Sequence, residues 1–229
     1  MERAKRVIFI AAGYGSRMNP VTLATPKPLV KVNGIRIIDT LIDAFLDKGI
    51  NEIIIVRGYL KDKFDELLIK YPMIKFVDND DYDKANNISS VYFVKDLLEN
   101  AYISEADLFL KNKDVISLYH ESSDFLGFKV DETDDWCFDS ENNIITGLHK
   151  GGYNCFQEVG ISYWNKEDGN KLSKDIEEAY KKDKTLFWEQ VPLLISKDNY
   201  NVSIKQCNKD DVTEIDTYEE LCTIDNSYR

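Results

Sequence analysis

The chain has 229 residues, 43% hydrophobic and 31% charged, an ordinary balance for a globular protein with one sizeable core. Its 29 basic and 41 acidic residues give a formal net charge of -12, which weighs against nucleic acid as a partner, since a phosphate backbone needs a basic face. No apolar run approaches the ~20 residues that span a bilayer, and M-E-R-A-K-R leads into a strand without a cleavage site. The expectation is a cytoplasmic protein with no membrane partner. Cys137, Cys155, Cys207 and Cys222 lie far apart without C-x-x-C spacing and are expected to be reduced and buried, not zinc ligands.

Arg6–Ala11 is predicted as a buried strand, followed by the glycine-rich turn Gly13-Tyr14-Gly15 and a loop carrying Arg17 and Lys27. Ile35–Lys48 is predicted helical, with Ile38, Leu41, Ile42, Phe45 and Leu46 on one face and Gly49 as its stop. Glu52–Val56 is apolar on consecutive positions, as in a strand covered on both faces. A helix over Lys61–Lys70, a strand over Met73–Val77, a helix over Asn86–Glu99 and a strand over Ala101–Ala106 complete the first half. This alternation implies right-handed crossovers and a mostly parallel sheet flanked by helices. Ligands bind such sheets at the carboxyl ends of the strands, where the glycine turn and Asp107 both fall.

The second half changes character. Phe125–Val130, Asp135–Asp139, Asn143–Leu148 and Glu158–Trp164 read as four short strands. Helices are predicted over Asp168–Lys182 and Leu186–Ser196, then strands over Val202–Gln206 and Val212–Ile215 and a helix over Tyr218–Thr223. The expected organisation is one Rossmann-like α/β domain over 1–229, with a core of 1–123 and 197–229 and a small β-rich lid of about 124–196.

Glycines after a strand let backbone N–H groups approach a phosphate. Arg17 can offer a planar fork to phosphate oxygens, and Pro26 and Pro28 stiffen the backbone around Lys27. The spacing is neither G-x-x-x-x-G-K-[ST] nor G-x-G-x-x-G, since Met18 stands at the third glycine position.

A-A-G-Y-G-S-R-M-N-P followed by P-K-P-L-V-K-V-N-G resembles the signature of the sugar-phosphate and choline-phosphate nucleotidyltransferases. The likeness continues through V-R-G-Y at Val56–Tyr59, N-N-I-S-S at Asn86–Ser90, E-A-D at Glu105–Asp107 and E-I-D at Glu214–Asp216. The chain is most similar to bacterial CTP:phosphocholine cytidylyltransferases. Met18 replaces the usual leucine, and Glu105 stands where relatives often carry aspartate. The resemblance implies in-line attack by an acceptor phosphate on the α-phosphorus of CTP, with release of pyrophosphate. It implies Arg17 and Lys27 as catalytic cations, and Mg²⁺ held by Asp107 and Asp216, positions that would otherwise read as turn or capping residues. It implies Ala11, Ala12, Gly13, Tyr14, Gly15, Ser16, Gly58, Tyr59, Asn87, Ser89 and Ser90 around the nucleotide. A phosphomonoester dianion is already a nucleophile, so no general base is required, and positioning and electrostatics carry the reaction.

The acceptor is expected to meet Lys129 or Lys150 through its phosphate and Trp136, Trp188, Glu189 and Glu214 through its amine. Trp136 follows Asp131, Glu132, Asp134 and Asp135. Aromatic faces hold a quaternary ammonium, which favours phosphocholine. 2-Aminoethylphosphonate or phosphoethanolamine, whose primary ammonium wants more hydrogen-bond acceptors, is the alternative. A sugar-1-phosphate nucleotidyltransferase ranks lower, and a non-catalytic nucleotide-binding regulator lowest. His120 and His149 show no triad or ligand spacing. A monomer and a homodimer are both compatible with the sequence.

Overall fold

The structure is a computed structural model that describes all residues from 1 to 229. Its centre is β1 (Arg6–Ala11), where Val7, Ile8 and Phe9 are all fully buried. Side chains alternate across a strand, so Val7 and Phe9 enter one apolar layer while Ile8 enters the other. β2 (Glu52–Arg57) repeats the pattern, with Ile53 and Ile55 on the first side and Ile54 and Val56 on the second. This double burial is why the two segments read as continuous apolar runs.

α1 (Ile37–Asp47) covers the first face, where Phe45 meets Phe9 and Tyr102 edge-on. It starts two residues later than its periodicity predicts, because Ile35–Arg36 pairs with Lys31–Val32 in a small hairpin. Asn33 and Gly34 both take positive φ at its turn, a pairing that Asn-Gly favours.

The remaining strands are β3 (Lys75–Asp78), β4 (Ala101–Glu105), β5 (Leu108–Leu110), β6 (Asp124–Glu141), β7 (Ile144–Trp164), β8 (Ser203–Gln206) and β9 (Val212–Glu214). β1, β2, β3 and β4 are parallel, with β4 and β2 flanking β1 and β3 outside β2. β7 adds antiparallel to β4, β6 pairs antiparallel with β7, and β8 runs parallel along the first residues of β6. The sheet is thus mixed and mostly parallel, as expected. β9 pairs antiparallel with β5 and carries Glu214 back toward the end of β4.

The four predicted short strands are segments of one long bent hairpin. Its register breaks between Thr133 and Trp136, and Cys137 then pairs with both His149 and Gln157. Its inner part folds back while its outer part joins the central sheet, so the predicted lid shares the sheet with the core.

The second face carries α2 (Ile88–Tyr92) and α3 (Lys166–Lys182), which pack Ile88, Val91, Leu172 and Ile176 against Trp164 and β1. The helix predicted over Asn86–Glu99 is broken after Tyr92, and a 3₁₀ turn follows at Lys95–Leu97. The run Val91-Tyr92-Phe93-Val94 consists of β-branched and aromatic residues with weak helix propensity. Lys61–Ile69 forms 3₁₀ turns, and Leu186–Ser196 contains only a π-turn at Val191–Ile195, with Pro192 at its start. α4 (Tyr218–Ile224) closes the chain, capped by Thr217 and Glu220.

Candidate active site

Three cavities meet at the carboxyl ends of β1 and β4, and Glu105, Asp107 and Asp216 lie where they join. The first, of about 390 Å³, runs beneath the glycine loop and is lined by Ala11, Gly13, Tyr14, Gly15, Ser16, Arg17 and Lys27. Gly15 has φ +60°, and a Cβ there would lie 3.0 Å from the Cβ of Lys27, so glycine lets the loop cross over that lysine. The Thr22 hydroxyl donates to the Gly15 carbonyl at 2.9 Å and ties the loop down.

Lys27 is buried between its two prolines and donates to Asp107 Oδ2 at 2.7 Å and Asp216 Oδ1 at 2.5 Å. Arg17 Nη2 lies 2.8 Å from Asp216 Oδ2. Burial pulls the Lys27 ammonium down, but Asp107 and Asp216 outweigh it and hold the group above the ordinary lysine range. Burial likewise opposes charge on Asp216, yet Lys27 and Arg17 bring its carboxyl below the ordinary value.

Asp107 Oδ1 is buried with no hydrogen-bond partner. Oxygens of Glu105, Asp107 and Glu214 lie within 4.8 Å of one another. Burial, followed by the charges of Asp107 and Glu214, pushes Glu105 well above the carboxylate range. Burial and then Asp107 and Asp216 raise Glu214 to about 8. An orphaned carboxylate oxygen among crowded oxygen donors fits a hard divalent cation, which relieves that repulsion.

The second cavity, of about 270 Å³, lies between the glycine turn and the start of α2. Its lining includes the expected Ala12, Gly13, Asn87, Ser89 and Ser90. It also includes Asn79 and Tyr82, which sequence reasoning missed. Asn79 is buried and donates through Nδ2 to Ser89 Oγ at 2.9 Å and Ser90 Oγ at 3.2 Å, which fixes both hydroxyls. Gly58 and Tyr59 stand behind this wall, not on it. A Cβ on Gly58 would come within 2.7 Å of Tyr82 and 2.9 Å of the Ala12 carbonyl, while the Tyr59 N–H donates to that carbonyl at 3.0 Å. They shape the cavity from beneath.

The third cavity, of about 350 Å³, is walled by the hairpin and the segment before Val191. Glu105, Asp135, Glu158, Glu189, Glu214 and Asp216 line it, against only Arg17 and Lys150. Burial raises Glu158 well above the carboxylate range, and its Oε1 has no partner. Burial also lifts Glu189 to about 7, although its own backbone N–H and the Asn87 amide partly offset this.

The structure brings Trp136, Lys150, Glu189 and Glu214 to this cavity but corrects two expectations. Trp188 points into the core, only 2% exposed, stacked on Phe125 with ring centres 5.7 Å apart. Lys129 is exposed on the hairpin, outside all three cavities. The second aromatic ring is instead Phe187, 5.6 Å from Trp136 and steeply inclined to it. Asn87 joins the two sides, accepting from the backbone N–H of Trp188 at 2.8 Å and donating to the Glu189 carboxylate at 3.3–3.4 Å.

A family model described as nucleotidyl transferase matches residues 6–118. The 2-aminoethylphosphonate cytidylyltransferase of Lancefieldella rimae is 36% identical over 96% of this chain and 92% of its own length. The chain belongs to the nucleotidyl transferase family. The choline-phosphate cytidylyltransferase of Streptococcus pneumoniae is 33% identical, covering 94% of each chain. The solved structure of the CTP:phosphocholine cytidylyltransferase from that organism superposes with a TM-score of 0.90 over 98% of this chain and 99% of that one, at 28% identity. The nucleotidyltransferase is therefore an enzyme of the cytidylyltransferase type, and its family generally uses divalent metal ions.

Proposed function

We propose that the enzyme transfers CMP from CTP to 2-aminoethylphosphonate, releasing pyrophosphate. One observation carries this choice of acceptor: beyond the carboxylates of the metal cluster, Asp135, Glu158 and Glu189 line the third cavity, while Trp188, the second tryptophan of the expected aromatic cage, is withdrawn into the core. A primary ammonium donates three hydrogen bonds and needs acceptors around it. A quaternary ammonium donates none and relies on aromatic faces. Trp136 and Phe187 still offer one aromatic wall, which keeps phosphocholine as the second reading.

In this reading the nucleobase enters the cavity beside Asn79 and Asn87, and the triphosphate lies under the glycine loop. Asp107 and Asp216, bridged by Lys27, would hold Mg²⁺, and Glu105 and Glu214 group with Asp107 beside them. The ion, when bound, screens the phosphate charges and stabilises the departing pyrophosphate. Arg17 and Lys27 lie against the same aspartates and supply the cationic field on the triphosphate side. Lys150 receives the phosphonate, and Glu189 and its neighbours receive the ammonium. A phosphonate oxygen attacks the α-phosphorus, the new P–O bond replaces the bond to pyrophosphate, and no proton transfer to the protein is required.

The test is pyrophosphate release with four ribonucleoside triphosphates, each paired with 2-aminoethylphosphonate, phosphoethanolamine and phosphocholine. CTP with 2-aminoethylphosphonate is expected to give the highest kcat/KM. A preference for phosphocholine would replace the acceptor, and preference for another nucleotide would replace the donor.

A further inference from the structure

Asn86 is the member of N-N-I-S-S closest to both substrates' walls that the reaction leaves without a task. It lines the second cavity, yet its donors engage the chain that follows α3. Its backbone N–H donates to the Lys184 carbonyl at 2.8 Å, and its Nδ2 donates to the Thr185 carbonyl at 3.1 Å. Its Oδ1 accepts from the Asn87 N–H at 2.8 Å. Asn87 in turn holds the Trp188 backbone and the Glu189 carboxylate. Two adjacent asparagines thus grip both ends of 184–189.

What they grip is the acceptor wall. Residues 183–189 form neither helix nor strand between α3 and the π-turn at Val191–Ile195, so ordering them costs backbone entropy that no ladder of hydrogen bonds offsets. Phe187 and Glu189 line the third cavity. With Thr185 and Trp188 held on either side, Leu186 and Phe187 have little freedom, and the Phe187 ring is set 5.6 Å from Trp136. The start of the nucleobase wall is tied to the same region. Asp81 accepts from the Tyr180 hydroxyl and from Lys184 Nζ, the latter at 2.7 Å, while its N–H donates to Asn79 Oδ1 at 2.9 Å.

We propose that Asn86 is a positioning residue for the acceptor: with Asn87 it splices Phe187 and Glu189 to the nucleobase wall, so that a base in the second cavity tightens binding in the third. The inference rests on the assignment of nucleobase and acceptor to those two cavities. A base seated against Asn79, Asn86 and Ser89 restrains the asparagine pair, and the acceptor then meets a wall that is already ordered. By linkage the acceptor strengthens base binding by the same factor. The triphosphate has no part in this route, since neither asparagine lines the cavity beneath the glycine loop.

The experiment measures binding without turnover. 2-Aminoethylphosphonate and phosphocholine are each titrated into the enzyme with and without saturating cytidine, which has neither a phosphate to repel them nor a leaving group to react. The quotient of the two dissociation constants is expected to reach at least about five, the lower end of ordinary coupling between sites. Asn86→Ala should bring it toward one. Lys150→Ala should weaken the acceptor in both titrations and leave the quotient unaltered, because a direct loss at one site cancels. Coupling seen with phosphocholine alone would replace 2-aminoethylphosphonate as the acceptor and still support the splice. A wild-type quotient of one needs no substitution and overturns the splice while leaving the acceptor assignment standing. A quotient that persists in Asn86→Ala would also overturn it.

Discussion

The glycine loop and the hairpin reach the same carboxylates from opposite sides, but they are built differently. On the loop side, Lys27 and Arg17 neutralise Asp107 and Asp216 through contacts of 2.5–2.8 Å, on a parallel sheet buried on both faces. On the hairpin side, Glu105, Glu158, Glu189 and Glu214 are crowded without matching cations, and burial raises each of them. Balanced charge on rigid strands suits a step common to many nucleotidyltransferases. Unbalanced acid on a bent hairpin suits a cation supplied by one particular substrate.

The strongest way to break this contrast is on the loop side. Asp107→Ala should abolish turnover with any acceptor. Lys27→Ala should lower kcat by about 10²–10³, the range for removing a positioned electrostatic stabiliser. It also leaves two carboxylates facing each other, so its melting temperature in chelator should fall and partly recover with Mg²⁺. An unchanged melting temperature would remove Lys27 from the role of counter-ion.

Substitutions on the hairpin side should separate the two substrates. Trp136→Ala should raise KM for the acceptor roughly tenfold, within the ~0.5–2 kcal/mol of a cation–π contact, and leave KM for CTP unchanged. Asn79→Ala should do the reverse, raising KM for CTP about fivefold, since a hydrogen bond is worth about 1 kcal/mol. Equal shifts in both constants would deny the division between the cavities.

The smallest effect is with pH. Glu189 is raised to about 7 from an unfolded value near 4.5. A carboxyl raised on folding contributes its stability below the unfolded pKa and loses it as pH climbs through the folded one. The ligand-free enzyme should therefore melt lower as pH rises from about 5 to 8. Acceptor affinity should strengthen over the same window, because the ammonium binds the ionised form. Thermal melts and acceptor titrations at fixed ionic strength check both signs.

The nucleotide side was far more legible in the sequence than the acceptor side. Ile53-Ile54-Ile55-Val56 announces a doubly covered strand, and Lys27 between two prolines announces a fixed cation. Asn79 carried no such signal, because its importance lies in reaching two serines across a turn. Trp188 and Glu189 adjoin in sequence, but Trp188 enters the core while Glu189 faces the cavity, and composition alone cannot say which goes where. Gly160 was also silent. A Cβ there would lie 2.6 Å from Glu105 Oε2, so its absence lets that acid stand beside β7. His120 has a scaffold setting, bonded to Asp124 at 2.6 Å and Tyr102 at 2.7 Å and stacked on Tyr163.

In the proposed reading, carboxylates of the third cavity select a primary ammonium. The most direct test of that selection is the ratio of kcat/KM for 2-aminoethylphosphonate to that for phosphocholine, measured with CTP in the wild type and in Glu189→Gln. The wild-type ratio should exceed about ten. It should fall toward one in the variant, as expected for losing a charged hydrogen bond of about 1.5–3 kcal/mol, with KM for CTP unchanged. A wild-type ratio below one, or a ratio that Glu189→Gln leaves unaltered, would contradict the account.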